Sequence, residues 1–164
     1  MAGSTDLDEL YDASYRRLVV QLFAVCGVLA DAEDAVQEAF VTAIRKRQVL
    51  DRADNPEAWI RTVALNRLRH GWRHAAVVRK YQPRIPGPQR DVEVGPEHVA
   101  IVTALNHLDN DQRQVVVLHH LADLGTAAIA AELGIPEGTV KSRLARARAQ
   151  LAELLDEREE DRHV

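Results

Sequence analysis

Apolar residues recur at three- and four-residue intervals along most of the chain, and that rhythm fails in one place. Leu7, Leu10, Tyr11, Ser14, Tyr15, Leu18, Val19, Leu22 and Phe23 form the first stripe, the mark of a helix with one face turned to a core. A second helix is predicted from Asp31, an N-cap residue followed by Glu33 and Asp34 in the turn where the helix dipole favours acids. Its apolar face is Val36, Ala39, Phe40, Ala43 and Ile44. Pro56, after Asn55, opens a third helix that continues through Trp59, Ile60, Val63, Ala64 and Leu68, proline being suited to a first helical position. Gly71 is expected to loosen or end it. The run YQPRIPGPQRDVEVGP then brings four prolines, two glycines and no helical period, the composition of a semi-extended linker. Beyond it the rhythm returns in four helices, at 96–108, 109–121, 126–133 and from 137 onward. Asp109 and Thr126 are good N-caps there, and Gly134 stands where a C-terminal glycine belongs. The pattern predicts an all-α chain of two small helical domains, 1–75 and 96–157, joined by a linker at 76–95 and followed by an acidic tail at 158–164.

Composition narrows this only slightly. A length of 164 residues holds one ordinary domain or two small ones, and 4% aromatics suits helical bundles better than a sandwich or barrel. A single cysteine, Cys26, excludes an internal disulfide or a Cys-based zinc finger; it reads as a small buried hydrophobe in a reducing compartment. No segment reaches the ~18 uninterrupted apolar residues of a membrane span. The start, MAGSTDLDELYD, is acidic where a secretory signal is basic and then apolar. The expectation is a soluble, cytoplasmic protein without membrane insertion.

Charge changes the picture more. The net charge of -4 conceals segregation. Residues 1–40 carry Asp6, Asp8, Glu9, Asp12, Asp31, Glu33, Asp34 and Glu38 against Arg16 and Arg17, whereas from Ala58 to Arg90 no acid occurs. Blocks of one sign point to surfaces that face different partners, and basic blocks to polyanions.

The second basic block is GIPEGTVKSRLARARAQL. A short helix at 126–133, the turn Gly134-Ile135-Pro136 and a longer helix form a helix-turn-helix pattern. Val140, Leu144, Ala147, Leu151 and Leu154 share the packed side of the last helix, and Ser142, Ala145, Arg146 and Ala149 lie opposite. Arg143 flanks that face beside Arg146, with Lys141 and Arg148 on the other flank. Small residues bordered by cations let a helix approach a groove floor while long side chains reach phosphates and base edges. A merely solvated face would interleave acids at four-residue spacing, and Thr139 to Gln150 has none. Arg143 and Arg146 are the better candidates for bases.

GIPEGTVKSRLARAR closely resembles the second helix of the C-terminal domain of bacterial sigma factors, especially the extracytoplasmic-function (ECF) group. ALNHLDNDQRQVVVLHHL is similar to the first part of that domain, and AAIAAELGIP to the first helix of its DNA-binding pair. In the N-terminal half, DAEDAVQEAFVTAIRKR resembles the segment that docks on the clamp helices of RNA polymerase. NPEAWIRTVALNRLRHGWRH resembles the stretch that melts and reads the minus-ten element. The resemblance spans nearly the whole chain in the family's order.

It implies a sigma factor whose partners are core RNA polymerase and promoter DNA, with an anti-sigma factor as a further candidate. Asp34, Gln37, Glu38 and Val41 would contact the polymerase. Asn66, Arg67, Arg69, His70, Trp72 and Arg73, with Arg61 nearby, would serve the minus-ten element, cations and aromatics being the equipment for single-stranded DNA. Thr139, Lys141, Ser142, Arg143, Arg146 and Arg148 would serve the minus-thirty-five element. Trp59 is assigned to the core, and Trp72 stays open between packing and base contact. His70 replaces an acid often found in the family, Pro136 a capping serine, and Ala145 stands where relatives can carry a larger side chain. Linker residues Arg79, Lys80, Arg84 and Arg90 are candidates for template DNA or nascent RNA. His70 and His74 stand four apart, yet cationic neighbours argue against a metal; His119 and His120, adjacent in sequence, cannot share a helix face and are expected to be ordinary helix residues. No phosphate loop, nucleophile elbow or catalytic acid pair is present, so no enzyme activity and no cofactor are expected. Two other readings compete: a stand-alone operator-binding regulator, which leaves the N-terminal block unexplained, and a polymerase-binding decoy that never initiates.

Overall fold

The computed structural model describes residues 3–77 and 92–162, with the side chains of 73–77 outside the description. The linker cations Arg79, Lys80, Arg84 and Arg90 lie outside the described residues. The chain divides into two compact units, Met1–Gly95 and Pro96–Val164, and among the described residues all regular structure is helical.

The first unit holds α1 (Leu7–Cys26), α2 (Leu29–Arg45), α3 (Arg47–Asp51) and α4 (Pro56–Val77). Asp6 caps α1 by accepting the amides of Asp8 and Glu9, and Gly27 closes it at φ 72, donating its amide to the Phe23 carbonyl. That left-handed conformation is one glycine adopts at little cost. Leu18, Val19, Leu22 and Val25 of α1 meet Ala32, Val36, Ala39 and Ala43 of α2, with Leu50, Ile60 and Ala64 closing the core; none of these has measurable exposure. The alanines keep α2 slim enough to pack against both α1 and α4, and each large aliphatic side chain buried contributes about 1.5–3 kcal/mol. At the edge, Tyr11 stacks on Tyr15 at 4.7 Å and meets Phe40 edge-on at 4.9 Å. Arg17 donates from Nε and Nη2 to the two carboxylate oxygens of Glu57, at 2.7 and 2.6 Å, forking α1 to α4.

Several expectations change here. Helix α2 starts at Leu29, with Val28 as a cap lacking any side-chain bond, so Asp31 lies inside the first turn. Glu33 is buried and engaged. Ile44, assigned to the inner face, is 66% exposed; it lies about 100° from the centre of the buried arc, near the helix end. The five-residue α3 was too short to leave a period. Gly71 does not end α4, which runs on to Val77; a helical glycine costs only about 1 kcal/mol. Trp59 is half-buried, and Cys26 is partly exposed, with Sγ 3.2 Å from the Val28 carbonyl.

The second unit holds α5 (Pro96–Leu105), α6 (Asn110–His120), α7 (Thr126–Leu133) and α8 (Glu137–Arg162). A reciprocal capping box between Asp109 and Gln112 opens α6. Val115, Val117, Leu118, Ile129, Val140 and Ala147 form its core. The helix expected at 96–108 stops at Leu105, and α8 continues without interruption to Arg162, so residues set apart as a tail are helical. Leu151 and Leu154 are half-buried and border, with Ala104, His107, Leu155 and Arg158, a cavity of about 170 Å³. The cap of α7 is Gly125; Thr126 instead donates its hydroxyl to Glu137 Oε1 at 2.8 Å. His119 and His120, though adjacent on the helix, bring their rings edge-on at 4.7 Å. At the end of α6 the His119 Nδ1–H reaches the Leu124 carbonyl at 2.8 Å, drawing the ring across the helix terminus.

Candidate nucleic-acid interface

On α8 the turn sets the geometry. Gly134 takes φ 64, and the Pro136 carbonyl accepts the amides of Thr139 and Val140 at 3.0 and 3.2 Å. Glu137, beside that helix start, is held below the usual carboxylate range, first by the Thr126 hydrogen bond and then by Lys141. The two helices are thereby tied together across the turn without a serine cap. Val140, Leu144 and Ala147 are buried, which turns Ser142, Ala145, Arg146 and Ala149 outward, all exposed. Thr139 is half-buried, its carbonyl accepting the Ser142 hydroxyl at 3.0 Å.

The four cations differ in ways the sequence did not reveal. Lys141 lies 3.6 Å from Glu137 Oε1, one turn back on its own helix. Arg143, with a side chain only 26% exposed, has Nη2 at 3.6 Å from Asp111 Oδ2 of α6. Arg146 and Arg148 are exposed and form no ion pair among the described residues. The acids were invisible to a search within Thr139–Gln150 because one precedes that window and the other arrives from another helix.

In the first unit Asn55 starts α4, its Oδ1 accepting the Ala58 amide at 3.1 Å. Ile60, Arg61, Ala64, Leu65 and Leu68 face inward. Arg61 is therefore removed from the candidate surface: it is 5% exposed and engaged within the fold. Asn66, Arg67 and His70 remain as an exposed strip, Arg69 and Trp72 are half-buried beside it, and the Arg73 and His74 side chains lie outside the described residues. Among the described residues no group of three or more His, Cys, Asp or Glu is placed to hold a metal.

The outer strip of α2 carries Asp34, Glu38 and Val41, all exposed. Gln37 sits at its edge and is partly drawn inward, donating from Nε2 to the Tyr15 hydroxyl at 3.3 Å. Ile44 extends the strip, an apolar member that its position near the helix end concealed. Glu38 Oε2 lies 3.8 Å from Arg67 Nη1, so the acidic strip of α2 and the polar strip of α4 adjoin.

Comparison with known proteins agrees with this division. Residues 10–77 match the family model for Sigma-70 region 2, and residues 98–151 that for Sigma-70 region 4. The ECF RNA polymerase sigma factor SigM of Mycobacterium tuberculosis is 32% identical over 152 residues, 90% of this chain and 76% of the relative. SigL of the same species is 35% identical over 143 residues, 82% of this chain and 80% of the relative. Among solved structures, the sigma factor RpoE of Bartonella quintana, in complex with the anti-sigma factor NepR, superposes with a TM-score of 0.68 at 26% identity. That match covers 91% of this chain and 97% of that one. CnrH, in complex with the cytosolic domain of CnrY, gives a TM-score of 0.68 at 26% identity, covering 92% and 87%. With both family regions in order and two relatives above 30% identity across most of their length, the chain belongs to the extracytoplasmic-function RNA polymerase sigma factors.

Proposed function

We propose that this chain brings core RNA polymerase to a two-part promoter, its first unit docking on the polymerase and opening the minus-ten element, its second reading the minus-thirty-five duplex. Promoter-directed initiation follows from the family; the assignment of faces rests on the geometry. The observation that carries it is the adjacency of the two strips of the first unit, linked at Glu38 and Arg67. Asp34, Glu38, Val41 and Ile44 offer a basic, partly apolar partner a complementary face. A unit seated by that face presents Asn66, Arg67 and His70, with Trp72 alongside, to DNA held next to the polymerase. Exposed cations and an aromatic edge serve single strands through backbone attraction and stacking. The outer face of α8, with Arg146 and Arg148 free of ion pairs among the described residues, serves a duplex. No catalytic step and no cofactor belong to this reading, and no described helix is long and apolar enough to cross a membrane.

The test is reconstitution with core polymerase from the same host on genomic template. Promoter-dependent transcripts that require both partners are the expected result. A chain that protects a palindromic duplex by itself, or binds core without ever forming open complexes, would overturn the proposal. We also infer control by an anti-sigma partner, since the solved relative RpoE of Bartonella quintana is bound to the anti-sigma factor NepR. A small protein co-purifying from the host and blocking transcription is expected; isolation of the chain only alone or with polymerase would refute that.

A further inference from the structure

Arg143 differs from the other cations of α8 in being held by an acid on a different helix. Asp111 stands in the first turn of α6, where the helix dipole favours a carboxylate. The capping box of Asp109 and Gln112 fixes that turn, and α6 packs directly on α8. The carboxylate is 62% exposed while its arginine is 26% exposed, so the acid is the partner more open to solvent and to a ligand approaching α8. As an ion pair at the surface this contact contributes little to stability. Its consequence is local charge and direction. A carboxylate 3.6 Å away offsets most of the guanidinium's attraction for distant phosphates and itself repels a phosphate brought close to it. The remaining N–H groups of the guanidinium stay available to the paired acceptors of a base edge, which carries sequence information that phosphate lacks.

We propose that Asp111 is a positioning and selectivity residue, which holds Arg143 for a base edge of the minus-thirty-five element and withholds it from phosphate. This rests on the reading of α8 as the duplex-facing helix. The test uses the full chain with core polymerase, on a promoter recovered from transcripts of the host genome and on every single base-pair variant of its upstream element. Initiation is followed from about 50 to 200 mM salt, a range over which phosphate contacts are strongly weakened. Asp111→Asn is expected to steepen the salt dependence by about one unit of slope. It should also weaken discrimination at one base pair by roughly tenfold, and Asp111→Glu should restore both. A carboxylate that serves only the start of α6 would lower the melting temperature on substitution and leave slope and discrimination unmoved; that result overturns the proposal. Arg143→Ala separates the two levels. If it relaxes selectivity while Asp111→Asn does not, the role of Asp111 is refuted and the reading of α8 stands. If Arg143→Ala and Arg146→Ala both leave every variant used as before, the reading of α8 falls and this proposal with it.

Discussion

Leu144 and Arg146 lie two residues apart on α8 and on different faces of it, so replacing each by alanine separates packing from recognition. Leu144 is 3% exposed, set between Val140 and Ala147, neither of which is exposed at all. Truncating such a leucine loses its transfer free energy and leaves a cavity, at a cost of about 2–5 kcal/mol. The unit from Pro96 to Val164 is small, and domains under about 70–80 residues rarely draw more than about 3–5 kcal/mol from their core. Leu144→Ala therefore removes most of the unit's stability. Arg146 is exposed and without an ion pair among the described residues, so Arg146→Ala is expected to alter stability by no more than about 0.5 kcal/mol. Losing a base contact there costs about 1–3 kcal/mol of discrimination, and losing a phosphate contact lowers the salt slope by about one. Circular dichroism melts of the full chain, core-polymerase binding and promoter-dependent transcription read the two effects separately. For Leu144→Ala, loss of a helical transition and of upstream-element use is expected, with core binding retained. Arg146→Ala should keep the melt and the core binding and lose promoter use. An unchanged melt for Leu144→Ala, or a melt as damaged for Arg146→Ala as for its neighbour, would refute the two-faced reading of this helix.

Glu38→Lys should weaken core binding at least tenfold with little change in melting temperature, because its ion pair with Arg67 is exposed and such pairs contribute only about 0–1 kcal/mol; unaltered affinity in a pull-down titration would remove α2 from the docking face. Gly134→Ala is expected to cost about 1–2 kcal/mol, since an added Cβ meets nothing within 4 Å and only the φ of 64 opposes it. Gly138→Ala, in open space in the first turn of α8, should instead stabilise by about 0.4–1 kcal/mol, and thermal melts of the pair that show the same sign would contradict this. His120 titrates below the usual histidine range because of partial burial, then the neighbouring His119 and Arg148. The unfolded chain therefore binds a proton there before the folded one does. Stability conferred by neutral His120 is complete above the ordinary histidine pKa of about 6.5 and falls as pH drops toward the lowered folded value. His120→Gln should flatten the fall in melting temperature as pH drops below about 6.5; an identical profile would show that other groups govern it.

Much of this protein is legible in its sequence, and the reason is that helices announce themselves locally. The stripe from Leu7 to Phe23, the Asn55-Pro56 start, the Asp109 cap and the Gly134 turn each depend on residues within one or two turns. The outward direction of Ser142, Ala145, Arg146 and Ala149 follows from the same period once Val140, Leu144 and Ala147 are buried. What periodicity cannot supply is the identity of the neighbour across the fold. Arg61 looked like a member of a basic DNA-binding block and is buried; Ile44 looked buried and is exposed. In each case the outcome depends on how far an adjoining helix covers the arc. Likewise, nothing near Arg143 in the sequence names Asp111, and nothing near Glu38 names Arg67, because ion pairs between helices form by proximity in space rather than along the chain. The sequence alone decided where the seven longer helices among the described residues form and which family they build; only tertiary packing decided which charges remain available, since covering and pairing a charge takes atoms from somewhere else in the molecule.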